Sequence, residues 1–391
     1  MQKGTLLDLI DVACHFFQLL ARHSDCKESG FIEETQMPRI VGISTAIPPY
    51  VHTQKAIKAF AKDIFKKHRA LDHLMPVFDN AMVEKRHFVV DQKWLESKHD
   101  FTDVNELYIK CTIDLAVEAV TDLANKCLVN TKDFDAIFFI STTGLATPSI
   151  DAHLFNRLDL SPHIKRIPIW GLGCAGGAGA ISRAYDYLKA YPNHRVLIVD
   201  VELCSLAFQK DDLEKSNIVS TAIFADGAAA CLLVGDQVEI KENKCAHPEI
   251  LGTYSTIYPD TLNVMSWQIT SEGFKVHLSK DIPSIVNSLV KGNITEFLSE
   301  YKMSLKDMHH FVMHPGGMKV LYAYADGLGI NMEALHHSVL VLREYGNMSS
   351  ATILFILKRF MENTVDKSGD FGLLSALGPG FSSELLLLKW S

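Results

Sequence analysis

The sequence predicts an α/β protein built from two similar halves, and three observations lead to this fold class. From Met37 onward, segments typical of strands alternate with segments typical of helices, which is the pattern of α/β proteins. Several strand segments are continuous runs of apolar, β-branched and aromatic residues, which indicates strands covered on both faces. Short motifs also recur in the same order along the chain, as a duplication would produce.

Seven segments are predicted to be strands by their apolar and β-branched character. They are PRIVGIST, DAIFFIST, KRIPIW, RVLIVDVE, AAACLLVG, HHFVMH and LLLLKW, in chain order. Two longer segments predict helices, NELYIKCTIDLAVEAVTDLANK and AISRAYDYLKAY. In the second helix, Ile181, Ala184, Tyr185 and Leu188 share one face, so this face is expected to be buried.

Three pairs of motifs indicate the duplication. TKDFDAIFFISTTG resembles LKDMHHFVMHPGG 174 residues later, and IWGLGCAGGAGA resembles REYGNMSSAT 173 residues later. FADGAAACLLV resembles LGPGFSSELLL at an offset of 153 residues. The halves are therefore predicted at residues 37–236 and 237–391, with a site at the seam between them. Residues 1–36 are predicted to be an extension, either an amphipathic helix or a segment before the working start at Met37.

The composition argues against several classes of function. A formal net charge of −8 gives no electrostatic reason to bind nucleic acid. The eight cysteines form no C-x-x-C pair, so neither a zinc cluster nor a disulfide framework is indicated. No apolar run reaches the ~18–20 residues that cross a bilayer. We therefore expect no membrane span and predict a cytoplasmic location.

The stretch WGLGCAGGAGA, from Trp170 to Ala180, allows two interpretations. Its glycines match the G-x-G-x-x-G loop that cradles a dinucleotide pyrophosphate, and Asp200 or Glu202 ends the next strand where a ribose-binding acid is wanted. Alternatively, the turn presents Cys174 at a helix start, where the helix dipole lowers the thiol pKa and favours the nucleophilic thiolate. The Gly171–Gly177 loop alone leaves both an NAD site and a nucleophile open.

Two further polar residues are candidates for the same chemistry. His314 closes an apolar strand in VMHPGG, where a proline and two glycines permit a tight turn. Asn347, in EYGNMSSAT, is predicted to lie between a strand and a helix. It is either the N-cap of that helix or the counterpart of Cys174 in the second half. Symmetric packing of the halves would bring Cys174, His314 and Asn347 together.

Such a trio suits acyl transfer with carbon–carbon bond formation. A thiolate takes an acyl group from a thioester. Histidine and asparagine side chains donate hydrogen bonds to the oxygen that becomes negative when a malonyl group loses carbon dioxide. This chemistry requires no metal and no redox cofactor.

Four separated motifs resemble the type III polyketide synthases, the chalcone/stilbene synthase family. They are GCAGG with Cys174, HPGG with His314, GNMSS with Asn347, and GPGF at 378–381. The resemblance covers nearly the whole chain from Met37 and is closest to bacterial alkylpyrone and alkylresorcinol synthases. It implies a thiolase-like fold, a duplicated five-layered αβαβα unit with two pseudo-symmetric halves, and a homodimer. It also implies acyl-CoA starters and malonyl-CoA extenders. Cys174 would be the nucleophile, and His314 and Asn347 would assist decarboxylation and hold the thioester carbonyl.

The resemblance further implies residues that shape the substrate cavity. Phe224, in IFADG, matches an aromatic gatekeeper between the CoA tunnel and the cavity, and Ser349 matches a small lining residue. Gly380 and Phe381, in the GPGF loop, are implied to shape the cavity in which the product cyclises. The product would be an alkylpyrone, an alkylresorcinol or a chalcone-like compound.

Several positions depart from the plant enzymes of this family. Val276 lies where they have a second gatekeeper phenylalanine, with Phe274 two residues earlier. Cys204 and Ala207 replace threonines, and these less polar walls favour a fatty acyl starter. Trp267 falls where a plant enzyme has glycine.

The basic residues that bind CoA phosphates in the plant enzymes are not reproduced from His73 to Asn80. Lys85 and Arg86 remain as basic residues nearby.

Three alternatives remain open at the level of sequence. An initiating ketoacyl-ACP synthase shares the fold and the Cys-His-Asn trio, but HPGG and GPGF disfavour it. An NAD-binding oxidoreductase would use the Gly171–Gly177 loop. A non-catalytic thiolase-fold binding protein is disfavoured by the intact trio.

Overall fold

The structure, a computed structural model, describes residues 37–240, 247–362 and 368–390. The predictions made for residues 1–36 lie outside these ranges. The described strands are β1 Arg39–Ala46, β2 Tyr50–Thr53, β3 Lys85–Phe88, β4 Ala136–Ile140, β5 Lys165–Ile169, β6 Arg195–Leu203, β7 Asp226–Val234, β8 Pro248–Ile257, β9 Met265–Thr270, β10 Gly273–Leu278, β11 His310–Met313, β12 Phe371–Gly378 and β13 Ser382–Trp390.

The described helices connect these strands or extend from them. They are α1 Gln54–Ile64, α2 Leu71–Leu74, α3 Pro76–Asn80, α4 Gln92–Glu96, α5 Phe101–Cys127, α6 Ile150–Leu158, α7 Gly176–Ala190, α8 Lys215–Ile223, α9 Ile282–Ile285, α10 Lys291–Glu300, α11 Met318–Leu328, α12 His336–Tyr345 and α13 Thr352–Glu362. All seven predicted strand segments contain strands, and both predicted helix segments lie within helices. No helix among the described residues is long and apolar enough to cross a bilayer.

Nine strands form one sheet, in which the same four-strand arrangement occurs twice. The order is β11-β12-β13-β8-β1-β7-β6-β4-β5. β4 and β6 are parallel, whereas β7 is antiparallel to both β6 and β1. In the same way β11 and β12 are parallel, whereas β13 is antiparallel to both β12 and β8. The α/β class with two similar halves is confirmed, and the boundary at residue 236, between β7 and β8, stays a prediction.

Two helices, one from each half, meet at the centre of the molecule. α7 is buried continuously from Gly176 to Ser182, and α13 from Thr352 to Leu357. A helix buried on nearly all sides is typical of the core of a large protein. The two helix starts approach so closely that a Cβ on Gly177 would lie 2.5 Å from the carbonyl oxygen of Ser350. The glycines of CAGGAG therefore allow two helices to touch.

Prediction and structure differ in the region before Asn347. The segment ending in EYG was expected to be a strand, but it forms the end of α12. Strands β2, β3, β8, β9, β10 and β12 were not predicted either. Their side chains are mixed in polarity or rich in glycine, so periodicity gives only a weak signal there.

Candidate active site

Cys174 lies in a single 3-10 turn, Gly173–Ala175, that leads directly into α7. Gly173 has a φ of +49°, and a Cβ there would lie 2.6 Å from Pro379, so this position requires glycine. Cys174 is only 7% exposed. Its Sγ is 3.7 Å from Ser349 Oγ, to which it donates a hydrogen bond. The turn therefore holds the thiol at a helix start, as the nucleophile interpretation predicts.

Asn347 precedes the matching turn in the second half, Ser349–Ala351, which leads into α13. Its Oδ1 accepts a hydrogen bond from the Ser349 amide at 2.9 Å, and its Nδ2 donates to the Gly316 carbonyl at 2.9 Å. An amide nitrogen carries two protons, so Nδ2 keeps one for a substrate. When the helix starts are aligned, the counterpart of Cys174 is Ser350, and the predicted equivalence of Asn347 with Cys174 is wrong by three residues. The motif match aligned two glycines, whereas α13 begins later after its glycine than α7 does.

His314 follows β11 directly and is 3% exposed. Its backbone amide donates to the Ser375 carbonyl at 2.9 Å, which extends the pairing of β11 with β12. Neither ring nitrogen has a hydrogen-bond partner among the described residues. Burial lowers the pKa of His314 to about 3, so the imidazole is neutral at physiological pH. A neutral imidazole with two unpaired nitrogens can accept one proton and donate another.

Two opposing effects act on the thiol of Cys174. The helix start and the hydrogen bonds to Ser349 and Asn347 favour the thiolate. Burial disfavours it and, with the nearby Glu202 and Asp200, raises the thiol pKa to about 12. The lowered pKa expected from the helix start is thus outweighed in this buried position. The thiol needs a proton acceptor at the moment of attack, and His314 lines the same cavity with two unpaired ring nitrogens.

Asp200 and Glu202 lie beneath the turn and share one hydroxyl group. Ser350 Oγ is 2.6 Å from Asp200 Oδ1 and 2.7 Å from Glu202 Oε1. One hydroxyl can donate only one proton, so one of the two carboxyl groups is protonated. Burial raises the pKa of both groups, with Asp200 well above its usual range. Glu202 also accepts three hydrogen bonds from Thr142 and Thr143, which favours its charged form and leaves the proton on Asp200.

The dinucleotide interpretation of the Gly171–Gly177 loop is wrong. Asp200 and Glu202 are fully buried, so neither can bind a ribose hydroxyl. The glycines at the start of α7 are in contact with α13 and leave no space for a pyrophosphate.

Cys174, His314 and Asn347 line one cavity of about 870 Å³. Of the other residues implied by the resemblance, Phe224, Val276 and Ser349 also line it, together with Trp267. The buried thiol and several exposed residues share this lining, so the cavity runs from the surface to the nucleophile.

Five residues implied to shape the cavity lie elsewhere, namely Phe274, Gly380, Phe381, Cys204 and Ala207. Phe381 is fully buried against Tyr258, with ring centroids 6.1 Å apart, and neither Phe381 nor Gly380 lines the cavity. The GPGF loop instead supports the nucleophile turn, because Pro379 packs on Gly173. Phe274 does not line the cavity either and packs against Phe101 and Trp267.

Cys204 and Ala207 line a second, narrow cavity of about 30 Å³. Its other walls are mostly apolar and include Phe60 and Phe208. Phe224, Trp267 and Val276 line both cavities and so form the partition between them. The Phe224 and Trp267 rings are 6.0 Å apart. Cys204 and Ala207, which are less polar than the threonines of the plant enzymes, therefore lie behind this partition.

The basic residues at the cavity differ from those that sequence comparison suggested. Arg86 is fully buried and cannot reach a CoA phosphate, and Lys85 does not line the cavity. Lys215, Lys280 and Lys319 do line it, and all three are exposed. The three lysines come from separated segments, so their spacing in the sequence did not indicate that they line one cavity.

Comparison with known proteins agrees with this geometry. Residues 32–237 match the sequence profile of "Chalcone and stilbene synthases, N-terminal domain", and residues 249–390 match the C-terminal domain of the same family. A Bacillus subtilis (strain 168) relative, whose chalcone synthase name is itself provisional, is 42% identical over 90% of this chain and 99% of its own. The 1,3,6,8-tetrahydroxynaphthalene synthase of Streptomyces peucetius is 33% identical over 90% of this chain and 93% of its own.

Comparison with a solved structure shows that the similarity to this family extends to the fold. The crystal structure of 1,3,6,8-tetrahydroxynaphthalene synthase from Streptomyces coelicolor A3(2), a bacterial type III polyketide synthase, superposes with a TM-score of 0.85. It is 28% identical to this chain and covers 90% of this chain and 99% of its own. The chain belongs to the chalcone and stilbene synthase family and is a type III polyketide synthase, an acyltransferase.

Proposed function

We propose that this chain loads a fatty acyl-CoA starter on Cys174, extends it with malonyl-CoA and cyclises the product to an alkylpyrone or alkylresorcinol. The observation that supports the chemistry is the single cavity lined by a thiol, a neutral imidazole and an amide. The second cavity, which Cys204 and Ala207 line, has mostly apolar walls and supports an apolar starter.

Loading begins with proton transfer from the Cys174 thiol to the neutral imidazole of His314. The thiolate attacks the carbonyl carbon of the acyl-CoA, and the carbon–sulfur bond to CoA breaks as the tetrahedral intermediate collapses. The CoA thiolate leaves and takes the proton from the His314 imidazolium. The products are an acyl group on Cys174 and free CoA.

Extension begins when malonyl-CoA enters the same cavity. Its terminal carbon–carbon bond breaks, carbon dioxide leaves, and the electron pair forms an enolate whose oxygen accepts hydrogen bonds from Asn347 Nδ2 and the His314 ring. The enolate carbon attacks the acyl carbonyl on Cys174. The thioester bond to Cys174 breaks, the cysteine leaves as a thiolate, and a β-ketoacyl-CoA two carbons longer is formed.

Mass spectrometry of products tests the proposal across a series of acyl-CoA starters with malonyl-CoA. We expect carbon dioxide release and triketide or tetraketide alkylpyrones or alkylresorcinols from fatty acyl starters. Activity with malonyl-ACP alone would favour the ketoacyl-ACP synthase alternative. Absence of carbon dioxide release with every starter, together with unlabelled Cys174 after iodoacetamide treatment, would favour a binding protein.

We also propose that Lys215, Lys280 and Lys319 bind the phosphates of CoA. None of the three forms an ion pair with a described residue, although several other surface lysines do. Uncommitted cations at the exposed end of a cavity attract an anionic ligand. A CoA thioester carries its phosphates at the end opposite the acyl group, so the phosphates would lie at the surface while the acyl group reaches Cys174.

Alanine at each of these three lysines is expected to raise KM for malonyl-CoA about 1.5- to 5-fold, as for an exposed ion pair, with kcat nearly unchanged. The same variants should show an unchanged KM for the malonyl thioester of N-acetylcysteamine, which has no phosphate. Lys85→Ala is the matched control, because Lys85 is exposed but does not line the cavity. An equal rise of KM for both thioesters would contradict phosphate binding.

Trp267→Ala is expected to shift starter preference toward longer acyl chains. The change removes part of the partition with Phe224, so the narrow apolar cavity joins the larger one. The measurement is the ratio of kcat/KM for palmitoyl-CoA to kcat/KM for hexanoyl-CoA, and we expect this ratio to rise. Trp94→Ala is the control, since Trp94 stacks on His99 and lines neither cavity. An unchanged ratio in Trp267→Ala would mean that the acyl chain lies elsewhere.

A homodimer through β5 is also proposed. β5 is the last strand of the nine-stranded sheet and pairs with β4 alone among the described strands. Its outer edge carries unpaired backbone groups, and Trp170 directly after it is 51% exposed. A second copy could pair with this edge. Sedimentation equilibrium is expected to give twice the mass of the chain, and a monomer at micromolar concentration would contradict the proposal.

A further inference from the structure

Arg86 is a buried cation that the reaction described above does not use. It lies on β3, is fully buried and forms no ion pair with a described residue. Burial lowers the pKa of Arg86 to about 9, so the guanidinium stays charged at physiological pH. A buried charge without a counterion is costly unless polar groups surround it. The groups that surround this one indicate what it does.

The guanidinium binds the end of α8. Nη1 donates to the carbonyls of Thr221 at 2.9 Å and Phe224 at 3.0 Å, and Nη2 donates to the Ala222 carbonyl at 2.7 Å. The last carbonyls of a helix have no partner within the helix and lie at its negative dipole end. The planar fork of arginine satisfies all three, which the compact ammonium of lysine cannot do with the same geometry.

The same turn binds the backbone of Asn347. The Asn347 amide donates to the Ile223 carbonyl at 2.8 Å, and the Ala225 amide donates to the Asn347 carbonyl at 2.9 Å. These two bonds fix Asn347 between the neighbours of Phe224. The contact is close, because a Cβ on Gly346 would lie 3.0 Å from the Cβ of Ala225. The position of Asn347 therefore depends on the position of this turn.

Gln54 extends the network to the wall of the cavity. Its Oε1 accepts from Arg86 Nη2, and its Nε2 donates to the carbonyls of Phe78 at 2.9 Å and Ala222 at 3.0 Å. Phe78 belongs to α3, and other residues of α3 line the cavity. One buried pair of side chains thus connects α3, the end of α8 and, through the backbone, Asn347.

We propose that Arg86 is a positioning residue for the active site. Its guanidinium holds the turn from Thr221 to Ala225, and this turn holds Asn347 at the enolate oxygen and Phe224 in the partition between the cavities. The inference rests on the proposed decarboxylation of malonyl-CoA, in which Asn347 donates to the enolate. Alkylation of Cys174 by iodoacetamide forms no enolate and serves as the internal comparison.

Arg86→Met and Arg86→Lys test the inference through three measurements: decarboxylation of malonyl-CoA, alkylation of Cys174 and amide hydrogen exchange. The two rates are normalised to the amount of folded protein. Decarboxylation of malonyl-CoA is expected to fall about 10- to 100-fold in Arg86→Met, because small misplacements of a catalytic group have effects of that order. Arg86→Lys should fall between Arg86→Met and wild type. Alkylation of Cys174 is expected to change less than about threefold. Amide hydrogen exchange should be faster at Asn347 and Ala225, whose amides belong to the two bonds.

Two further variants separate positioning from general destabilisation. Ile250→Ala, in the buried core on β8, is expected to lower thermal stability while leaving the ratio of decarboxylation to alkylation unchanged. If Arg86→Met does not fold, Gln54→Ala is used instead, because it removes one hydrogen-bond acceptor of Arg86. It should lower the ratio of decarboxylation to alkylation, by a smaller factor than is expected for Arg86→Met.

An equal fall of both rates, or unchanged decarboxylation in a folded Arg86 variant, would overturn the inference. A wild-type enzyme that releases no carbon dioxide would instead overturn the proposed function. In that case hydrogen exchange at the Asn347 and Ala225 amides still tests whether Arg86 holds Asn347 in place. Exchange rates that do not change in the Arg86 variants would overturn the positioning role.

Discussion

Replacing Cys174 with alanine is expected to lower product formation by a factor of about 10⁴ or more, as for other enzymes that lose a covalent nucleophile. Without the thiol, no acyl group can be held while malonyl-CoA is decarboxylated, so chain extension has no electrophile in place. Product formation is measured by mass spectrometry. Intact-protein mass spectrometry after incubation with a starter should show one acyl adduct on the wild type and none on Cys174→Ala.

Cys204→Ala is the matched control for this experiment. Cys204 is also a buried free cysteine, but it lines the narrow cavity and not the large one. Cys204 lies behind the partition and has no access to the large cavity, so it is not expected to react with the starter. The control should keep the acyl adduct. If the adduct persists in Cys174→Ala and disappears in Cys204→Ala, the nucleophile is Cys204 and the proposed role of Cys174 is wrong.

Replacing His314 or Asn347 with alanine is expected to lower decarboxylation of malonyl-CoA about 10²- to 10³-fold each, the usual cost of removing one donor to an oxyanion. Both side chains are buried in the cavity wall, so their hydrogen bonds to a developing charge form away from bulk water. Release of carbon dioxide is the measurement, because it reports this step without requiring product cyclisation.

The two variants should differ in the loading step. His314→Ala also removes the proposed proton acceptor for Cys174 and should slow acylation by the starter. Asn347→Ala should affect acylation much less. The double variant is expected to lose less than the product of the single effects, since both groups act on the same oxygen. Equal effects of both single variants on acylation would contradict the separate roles.

The sequence alone indicated the family and the candidate site residues, because these residues lie in short motifs. His314 directly follows the buried strand β11, whereas Cys174 lies in the tight turn after the largely exposed strand β5. Both patterns are local and do not depend on distant parts of the chain. The packing of α7 against α13 then brings Cys174 and Asn347 together. The motifs are local and were therefore accessible without a structure, whereas this packing was expected only from the similarity of the two halves.

Features that depend on tertiary contact were not accessible in the same way. Arg86 remained in the sequence as a basic residue near the segment compared with the plant enzymes, and its complete burial was not visible there. Phe381 was expected in the cavity but lies behind it, since the position of a loop relative to a cavity depends on the opposing half. The three lysines at the surface lie far apart in the sequence and become neighbours of one cavity only in the fold.

The close contact between α7 and α13 has a consequence for the order of events during turnover. Gly177 and Ser350 leave no space at the seam, and among the described residues the cavity that holds Cys174 opens beside Lys215, Lys280 and Lys319. We therefore expect a thioester to enter from this lysine-lined surface. CoA from the loading step must therefore depart before malonyl-CoA arrives by the same route. An acyl group that stays on Cys174 while CoA departs is expected to give ping-pong kinetics, in which free CoA competes with malonyl-CoA for the cavity.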